Sequence, residues 1–107
     1  MIELQTCRDS VICRPSGNLD WESARSLRHV VGDLVRPGLN LVLDMSHVAF
    51  MDAVGVSAVV GSARRVLAAG GTIRISHASQ RVLWLLHLVG VDRLVEQSSS
   101  HLRPGAA

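Results

Sequence analysis

The sequence contains few aromatic residues and no lysine. Its 107 residues include two tryptophans, one phenylalanine and no tyrosine, and all eleven basic residues are arginine. Surfaces that bind nucleic acid generally need a basic stripe or stacking aromatic side chains. Because the formal net charge is only +2 and acidic residues are spread among the arginines, nucleic acid is not an expected partner. The core must be built from Val, Leu, Ile and Ala.

The sequence also lacks a long hydrophobic segment. The longest apolar stretch, VLWLLHLVGV at 82–91, falls well short of the ~20 residues that a membrane-spanning helix needs, and it contains His87. The first ten residues show no basic start followed by an apolar run, so no signal peptide is predicted. We therefore expect a cytoplasmic protein without direct membrane insertion.

Cysteine is scarce, and the spacing of Cys7 and Cys13 is not that of a zinc site or a C-x-x-C redox motif. In a cytoplasmic chain two buried free thiols are the favoured interpretation. The alternative is a redox-sensitive pair, in which the two cysteines face each other across the predicted hairpin. The five histidines show no metal-ligand spacing, so no metal or cofactor is expected.

The hydrophobic pattern predicts strands that alternate with helices. Strands at 2–7 and 10–14 form a hairpin, and the Pro15–Asn18 segment is expected to break the chain. Further strands are predicted at 39–45, 72–76 and 91–97, and helices at 20–36, 53–69 and 79–89. The third helix is expected to turn Val82, Leu83, Leu86 and either Leu88 or Val89 inward.

The resulting order, β-β-α-β-α-β-α-β, indicates an α/β single domain. Single helices between strands imply parallel pairing, so we expect a mixed sheet that begins with an antiparallel N-terminal β-hairpin. Residues 1–97 form this domain, and residues 98–107 are predicted to be a flexible C-terminal tail.

The stretch FMDAVGVS, residues 50–57, places Asp52 between an apolar strand and a helix. As an N-cap, Asp52 would accept hydrogen bonds from the N–H of Val54 or Gly55, which is worth ~1 kcal/mol. Asp20 stands in the same position before the first helix. Helix starts also attract anions and partners, so both aspartates are candidate contacts.

Ser57 is a weak candidate for a nucleophile. The G-x-S pattern of Gly55–Ser57 lacks the last glycine of a nucleophile elbow, and no histidine is placed to activate the hydroxyl. A surface or packing serine is favoured. The absence of a convincing active-site pattern favours a binding module over an enzyme.

From Gly17 to about Glu96 the sequence resembles the STAS domain, the family of bacterial anti-sigma factor antagonists. The resemblance is carried by the order and spacing of GNLD at 17–20, LVLDMSHVAFMD at 41–52, AGGTIRI at 69–75 and VLWLLHLVGVDRLV at 82–95. It implies a cytoplasmic protein without catalysis of its own. Its partner would be an anti-sigma factor of the histidine-kinase-like ATPase type, and their binding would free a sigma factor.

The resemblance also implies a switch that this sequence has lost. A typical member is phosphorylated by its kinase partner on a Ser just after the Asp, and the phosphate breaks the complex. Val54 occupies that acceptor position and has no hydroxyl. We therefore expect constitutive binding, or control by partner level, by oxidation of Cys7 and Cys13, or by modification at Ser57.

The partner-binding residues that the resemblance implies are Asp20, Asp52, Ala53, Val54, Gly55 and Ser57. Two other functions remain open. The chain is also similar to STAS subunits that sit on a lipid-transport ATPase at the inner membrane, and to unphosphorylated components of signalling scaffolds. The oligomeric state, monomer or dimer, is left open.

Overall fold

The computed structural model describes residues 1–90 and the backbone of residues 96–97. In chain order its elements are β1 (Ile2–Thr6), β2 (Val11–Leu19), α1 (Trp21–Leu34), β3 (Asn40–Asp44), β4 (His47–Met51), α2 (Ala53–Ala68), β5 (Thr72–Ser76), α3 (Gln80–Leu88) and β6 (Glu96–Gln97). The predicted hairpin, the three helices and the strands at 39–45 and 72–76 are confirmed. Of the last predicted strand, 91–97, only β6 is described. The predicted tail at 98–107 lies outside the described residues.

The described strands form one mixed sheet. Its order is β1-β2-β3-β5-β6, and β4 pairs with β2 beyond the point where β3 ends. The β1–β2 pairing is antiparallel and the others are parallel. The α/β mixed sheet with its N-terminal hairpin is therefore confirmed.

One hydrophobic core lies between the sheet and the helices. Alternation along β3 directs Leu41 and Leu43 into this core. All three helices contribute buried side chains to the same cluster, including Ala24, Leu27 and Val31 of α1, Val59, Ala63 and Val66 of α2, and Val82 and Leu86 of α3. The inward placement expected for Leu88 or Val89 is wrong: both side chains are exposed, at 60% and 54%.

The expected break at Pro15–Asn18 is also wrong, because β2 continues through it to Leu19. Pro15 lies between the part of β2 that pairs with β3 and the part that pairs with β4. On this side of β2 a missing N–H interrupts no regular ladder, while on the other side Pro15 keeps Ile2 of β1 as its partner. Gly17 follows with φ of 84°, beside a register shift, and this left-handed backbone favours glycine.

The strand β4 was not predicted, because the sequence suggested only a short polar break followed by AFMD. It forms because the extended end of β2 offers a second pairing edge, on which His47–Met51 align in parallel with Ser16–Leu19. This extra strand changes the element order to β-β-α-β-β-α-β-α-β.

The register of the hairpin does not place Cys7 opposite Cys13. Cys13 pairs with Leu4, while Cys7 lies beyond the end of β1, where its N–H donates to the carbonyl of Ser10. Both thiols are free, Cys13 buried and Cys7 half-buried. Three residues of a strand separate Cys7 from the position facing Cys13, which is ~10 Å and too far for a disulfide. The predicted facing pair is therefore wrong.

None of the helices within the described ranges combines the length and the apolar character needed to cross a membrane.

Candidate functional site

The starts of α1 and α2 lie side by side because their preceding strands are paired in register. Leu19, the last residue of β2, is the parallel partner of Met51, the last residue of β4. The residues that follow, Asp20 and Asp52, are the N-caps of the two helices. Adjacent strands lie about 4.8 Å apart, so the strand pairing sets two helix starts at one end of the molecule.

Both aspartates act as caps, as predicted from the sequence. The Asp52 carboxylate accepts a hydrogen bond from the Gly55 N–H at 3.0 Å. Asp20 forms a reciprocal capping box: its carboxylate accepts from the Ser23 N–H at 3.3 Å, and its own N–H donates to the Ser23 hydroxyl at 2.9 Å. The Ser23 N–H and then the Ser23 hydroxyl lower the pKa of Asp20 from its ordinary value. These contacts fix the first turns of both helices.

Gly55 brings α2 close to the end of β2. A Cβ built at Gly55 would lie 2.2 Å from the carbonyl oxygen of Leu19 and 2.7 Å from Cγ of Met51. Only glycine therefore fits at this point without a backbone shift. Gly55 is buried, so it shapes the site from beneath, whereas the sequence had placed it among the partner contacts.

The outward side of this region is apolar and open to solvent. Ala53 and Ser57 are exposed, and Val54 retains 40% of its accessible surface. Two large side chains at the same end of the molecule are also exposed, Trp21 at 62% and Phe50 at 46%. We call Trp21, Phe50, Ala53, Val54 and Ser57 the helix-start surface. Single exposed apolar residues are ordinary, but several on one small surface are typical of a protein–protein interface.

Trp21 and Phe50 were not among the predicted contacts. The exposure of Trp21 could have been predicted from the sequence. Trp21 is the first residue of α1 and does not belong to the helical spacing of the buried residues Ala24, Leu27 and Val31. Phe50 depends on β4, whose pairing with β2 shifts register between Val48 and Phe50. This irregularity interrupts the simple alternation, so that Val48 and Met51 are both buried and Phe50 is exposed. Aromatic residues are enriched at the centres of protein interfaces, which makes these two the strongest additions to the site.

Ser57 contacts an arginine of the neighbouring helix. The Arg28 guanidinium donates through Nη2 to the Ser57 Oγ at 3.1 Å. A guanidinium remains protonated at any ordinary pH and accepts no proton, so Arg28 cannot activate Ser57 as a general base. This geometry argues against the serine nucleophile that the sequence left as a remote candidate.

A separate ion pair lies at the end of β3, away from the helix-start surface. Arg14 Nε donates to Asp44 Oδ2 at 2.9 Å, and the Ser46 N–H donates to Asp44 Oδ1 at 2.9 Å. Burial raises the pKa of Asp44, but the Ser46 and Arg14 bonds outweigh it and lower the pKa overall. The pairing of Arg14 and Asp44 depends on strand register, so it could not be predicted from local sequence.

Within the described residues, no cluster of three or more His, Cys, Asp or Glu side chains is arranged to hold a metal ion. The site thus consists of capped helix starts with an exposed apolar surface and one hydroxyl–guanidinium contact. Such an arrangement suits the binding of a protein partner.

Comparison with known proteins agrees with this description. The model of the STAS domain family matches residues 1–104. The chain is 27% identical over 84 residues to the anti-sigma-B factor antagonist of Bacillus subtilis, covering 78% of this chain and 77% of that protein.

Several solved structures share the fold. An anti-sigma factor antagonist from Mycobacterium paratuberculosis superposes with a TM-score of 0.78 at 20% identity, covering 91% of this chain and 83% of the other. The phosphorylated form of the Bacillus cell fate determinant SpoIIAA gives a TM-score of 0.73 at 19% identity, covering 94% of each chain.

Proposed function

Because the chain belongs to the STAS domain family, we propose that it is an anti-sigma factor antagonist. It binds an anti-sigma factor of the histidine-kinase-like ATPase type and thereby frees a sigma factor. Its role is binding and not catalysis, and the chain acts in the cytoplasm. The relative from Bacillus subtilis is named an anti-sigma-B factor antagonist, which supports an anti-sigma factor as the partner.

The observation that carries this proposal is the exposed, uncharged first turn of α2 beside the start of α1. Ala53 and Val54 face solvent there without a polar group, and Trp21 and Phe50 extend the apolar area. Burial of such side chains against a partner gains about 25 cal/mol for each Å² removed from water. The caps at Asp20 and Asp52 hold the two turns rigid, so little order has to be gained on binding.

Val54 has no hydroxyl, and this determines how the proposed complex can be regulated. Phosphate cannot be added at this position, so the anti-sigma factor cannot be released by phosphorylation of residue 54. An acid at residue 54 should act as a permanent phosphate, because it places charge in the centre of the apolar contact. The fold should survive, since an acid in the first turn suits the helix dipole.

The first test is affinity purification of the full chain from the cells that encode it, followed by identification of the partners by mass spectrometry. Recovery of a histidine-kinase-like anti-sigma factor supports the proposal. Recovery of a transport ATPase with its permease would instead assign the chain to a transporter assembly and overturn it.

The second test measures the affinity of the recovered anti-sigma factor for Val54→Asp and for Ala68→Asp. Ala68 is exposed at the opposite end of the same helix, so it controls for the added charge. We expect Val54→Asp to weaken binding at least tenfold, or about 1.4 kcal/mol, and Ala68→Asp to leave it unchanged. Equal effects of the two variants would contradict docking at the helix start. Circular dichroism checks that both variants fold.

A further inference from the structure

Ser57 has the geometry of a phosphate-accepting residue. Its side chain is exposed on the fifth residue of α2, one helical turn beyond Val54. Residues three apart lie on the same helix face, so Ser57 shares the helix-start surface with Val54. The Ser57 Oγ already receives a hydrogen bond from Arg28 Nη2 at 3.1 Å.

Among the described residues, no acidic side chain neutralises the cation beside Ser57. Within the described part of the chain, the arginine–carboxylate ion pairs join Arg14 with Glu3 and with Asp44. Neither Arg28 nor Arg65 has a carboxylate partner there. Arg65 Nη1 donates to the backbone carbonyl of Arg28 at 3.5 Å, and the Arg65 guanidinium lies over Gly32.

These contacts place two guanidinium groups, each without a carboxylate partner among the described residues, along the interface between α1 and α2. Arg28 directs its donor at Ser57, and Arg65 lies farther along the same interface, towards Gly32. Guanidinium donors match phosphate oxygens in geometry and charge, and hydrogen bonds between charged groups are about twice as strong as neutral ones. Within the described part of the chain, this interface therefore lacks a negative charge, which a phosphate on Ser57 would supply.

We propose that Ser57 is a phosphorylation site and that Arg28 holds the phosphate. An ATP-dependent serine kinase catalyses the step: the Ser57 Oγ forms a bond to the γ-phosphorus as the bond to the ADP oxygen breaks. The hydroxyl proton passes to a base of the kinase. This inference rests on the proposed function in one respect, namely that the phosphate releases the anti-sigma factor.

The consequence follows from charge. A phosphoserine carries about −1.5 to −2 charges at neutral pH, and at residue 57 it would stand on the surface that includes Val54. Arg28 would keep it fixed against the protein and at the same time leave its remaining oxygens exposed. An apolar partner surface would then face a dianion, and the complex would be weakened. The phosphate-accepting hydroxyl that is absent at residue 54 is thus provided one helical turn later, by Ser57.

The geometric part is tested without any partner. Phosphoserine is incorporated at residue 57 of the full chain during translation, and its second pKa is followed by phosphorus-31 NMR. We expect Arg28→Gln to raise that pKa, because the guanidinium stabilises the dianion. Arg25→Gln is the matched control, an exposed arginine on the same helix, and should leave the pKa unchanged. No difference between these variants would overturn the role of Arg28.

The biological part is tested on the chain isolated from growing and from stationary-phase cells that encode it. Trypsin releases the fragment 29–64, whose serines are Ser46, Ser57 and Ser62, and fragment ions assign the phosphate among them. We expect it on Ser57, and we expect it to disappear in Ser57→Ala and persist in Ser46→Ala. Phosphate on Ser46 instead, or none on this fragment in either phase, would overturn the proposal.

A third measurement separates this inference from the proposed function. The phosphoserine-57 chain should bind the purified anti-sigma factor at least tenfold more weakly than the unmodified chain. If the anti-sigma factor binds neither form, the proposed function fails while the phosphate at Ser57 still stands. If it binds both forms equally, the modification site stands and its role as a switch fails.

Discussion

The backbone of Gly55 lies against the carbonyl oxygen of Leu19, so that a Cβ at residue 55 would stand 2.2 Å from that oxygen. Gly55→Ala should therefore destabilise the protein by about 1–3 kcal/mol, since a backbone oxygen cannot move aside as a flexible side chain can. Urea unfolding followed by circular dichroism measures this directly.

Gly61 provides the control for Gly55, because it lies in the same helix and a Cβ there would meet nothing within 4 Å. Gly61→Ala should raise the free energy of unfolding by about 0.5–1 kcal/mol, through helix propensity alone. An increase in stability for both alanine variants would contradict the close contact between Gly55 of α2 and the Leu19 carbonyl oxygen of β2.

The Asp44 carboxylate should make the free energy of unfolding depend on pH in the acidic range. The Ser46 N–H and the Arg14 guanidinium lower its pKa in the folded protein despite the opposing effect of burial. A lowered pKa contributes stability that is present above the unfolded-state value of about 3.9 and is lost as pH falls through the folded value. The free energy of unfolding should thus decrease between about pH 5 and pH 3.

Asp44→Asn should reduce this acid dependence and cost about 1.5–3 kcal/mol at neutral pH, where the charged hydrogen bond to Arg14 is lost. Some dependence should remain, because the pKa of Asp20 is lowered as well. Asp33→Asn, a change at an exposed residue of α1, is the control. If the free energy of unfolding of Asp44→Asn fell with pH as steeply as that of the wild type, the pKa of Asp44 would not differ between the folded and unfolded states. That result would contradict the prediction.

Two serine-to-alanine changes should act in opposite directions. The Ser62 hydroxyl is buried in α2 and has no hydrogen-bond partner among the described residues, so Ser62→Ala should stabilise the protein by about 1 kcal/mol. The Ser79 hydroxyl caps α3 by accepting from the Val82 N–H at 3.1 Å, so Ser79→Ala should cost about 1 kcal/mol. Thermal unfolding of both variants beside the wild type gives the two signs.

The two thiols should differ in reactivity. Burial raises the pKa of Cys13 to about 11, and only the thiolate reacts with an alkylating agent. Iodoacetamide should therefore modify Cys7 first in the folded protein and both residues in urea, as read by intact mass. Oxidant should produce no Cys7–Cys13 disulfide in the folded chain. Formation of that bond without unfolding would contradict the hairpin register.

Much of the fold followed from local chemistry. Helix α1 could be predicted from the spacing of Ala24, Leu27 and Val31 and from the cap at Asp20, since these features depend on residues within a few positions of one another. The same holds for α2 with Asp52 and for α3 with Ser79. The buried strand β3 was marked by its short, bounded apolar run.

The strand β4 and the continuation of β2 through Pro15 required the tertiary structure. Whether an extended segment becomes a strand depends on a distant edge with free N–H and C=O groups, and no local pattern contains that information. The separation of Cys7 from Cys13 and the pairing of Arg14 with Asp44 depend on register in the same way.

By itself, the sequence determined the capped helix starts, the family resemblance and the missing hydroxyl at Val54, because each is a property of residue type and short spacing. The tertiary structure alone decided that Asp20 and Asp52 stand side by side, that Gly55 lies beneath the surface, and that Arg28 reaches Ser57. The physical reason is that strand pairing and helix packing join residues about thirty positions apart, and their geometry sets which side chains a partner or a kinase can reach.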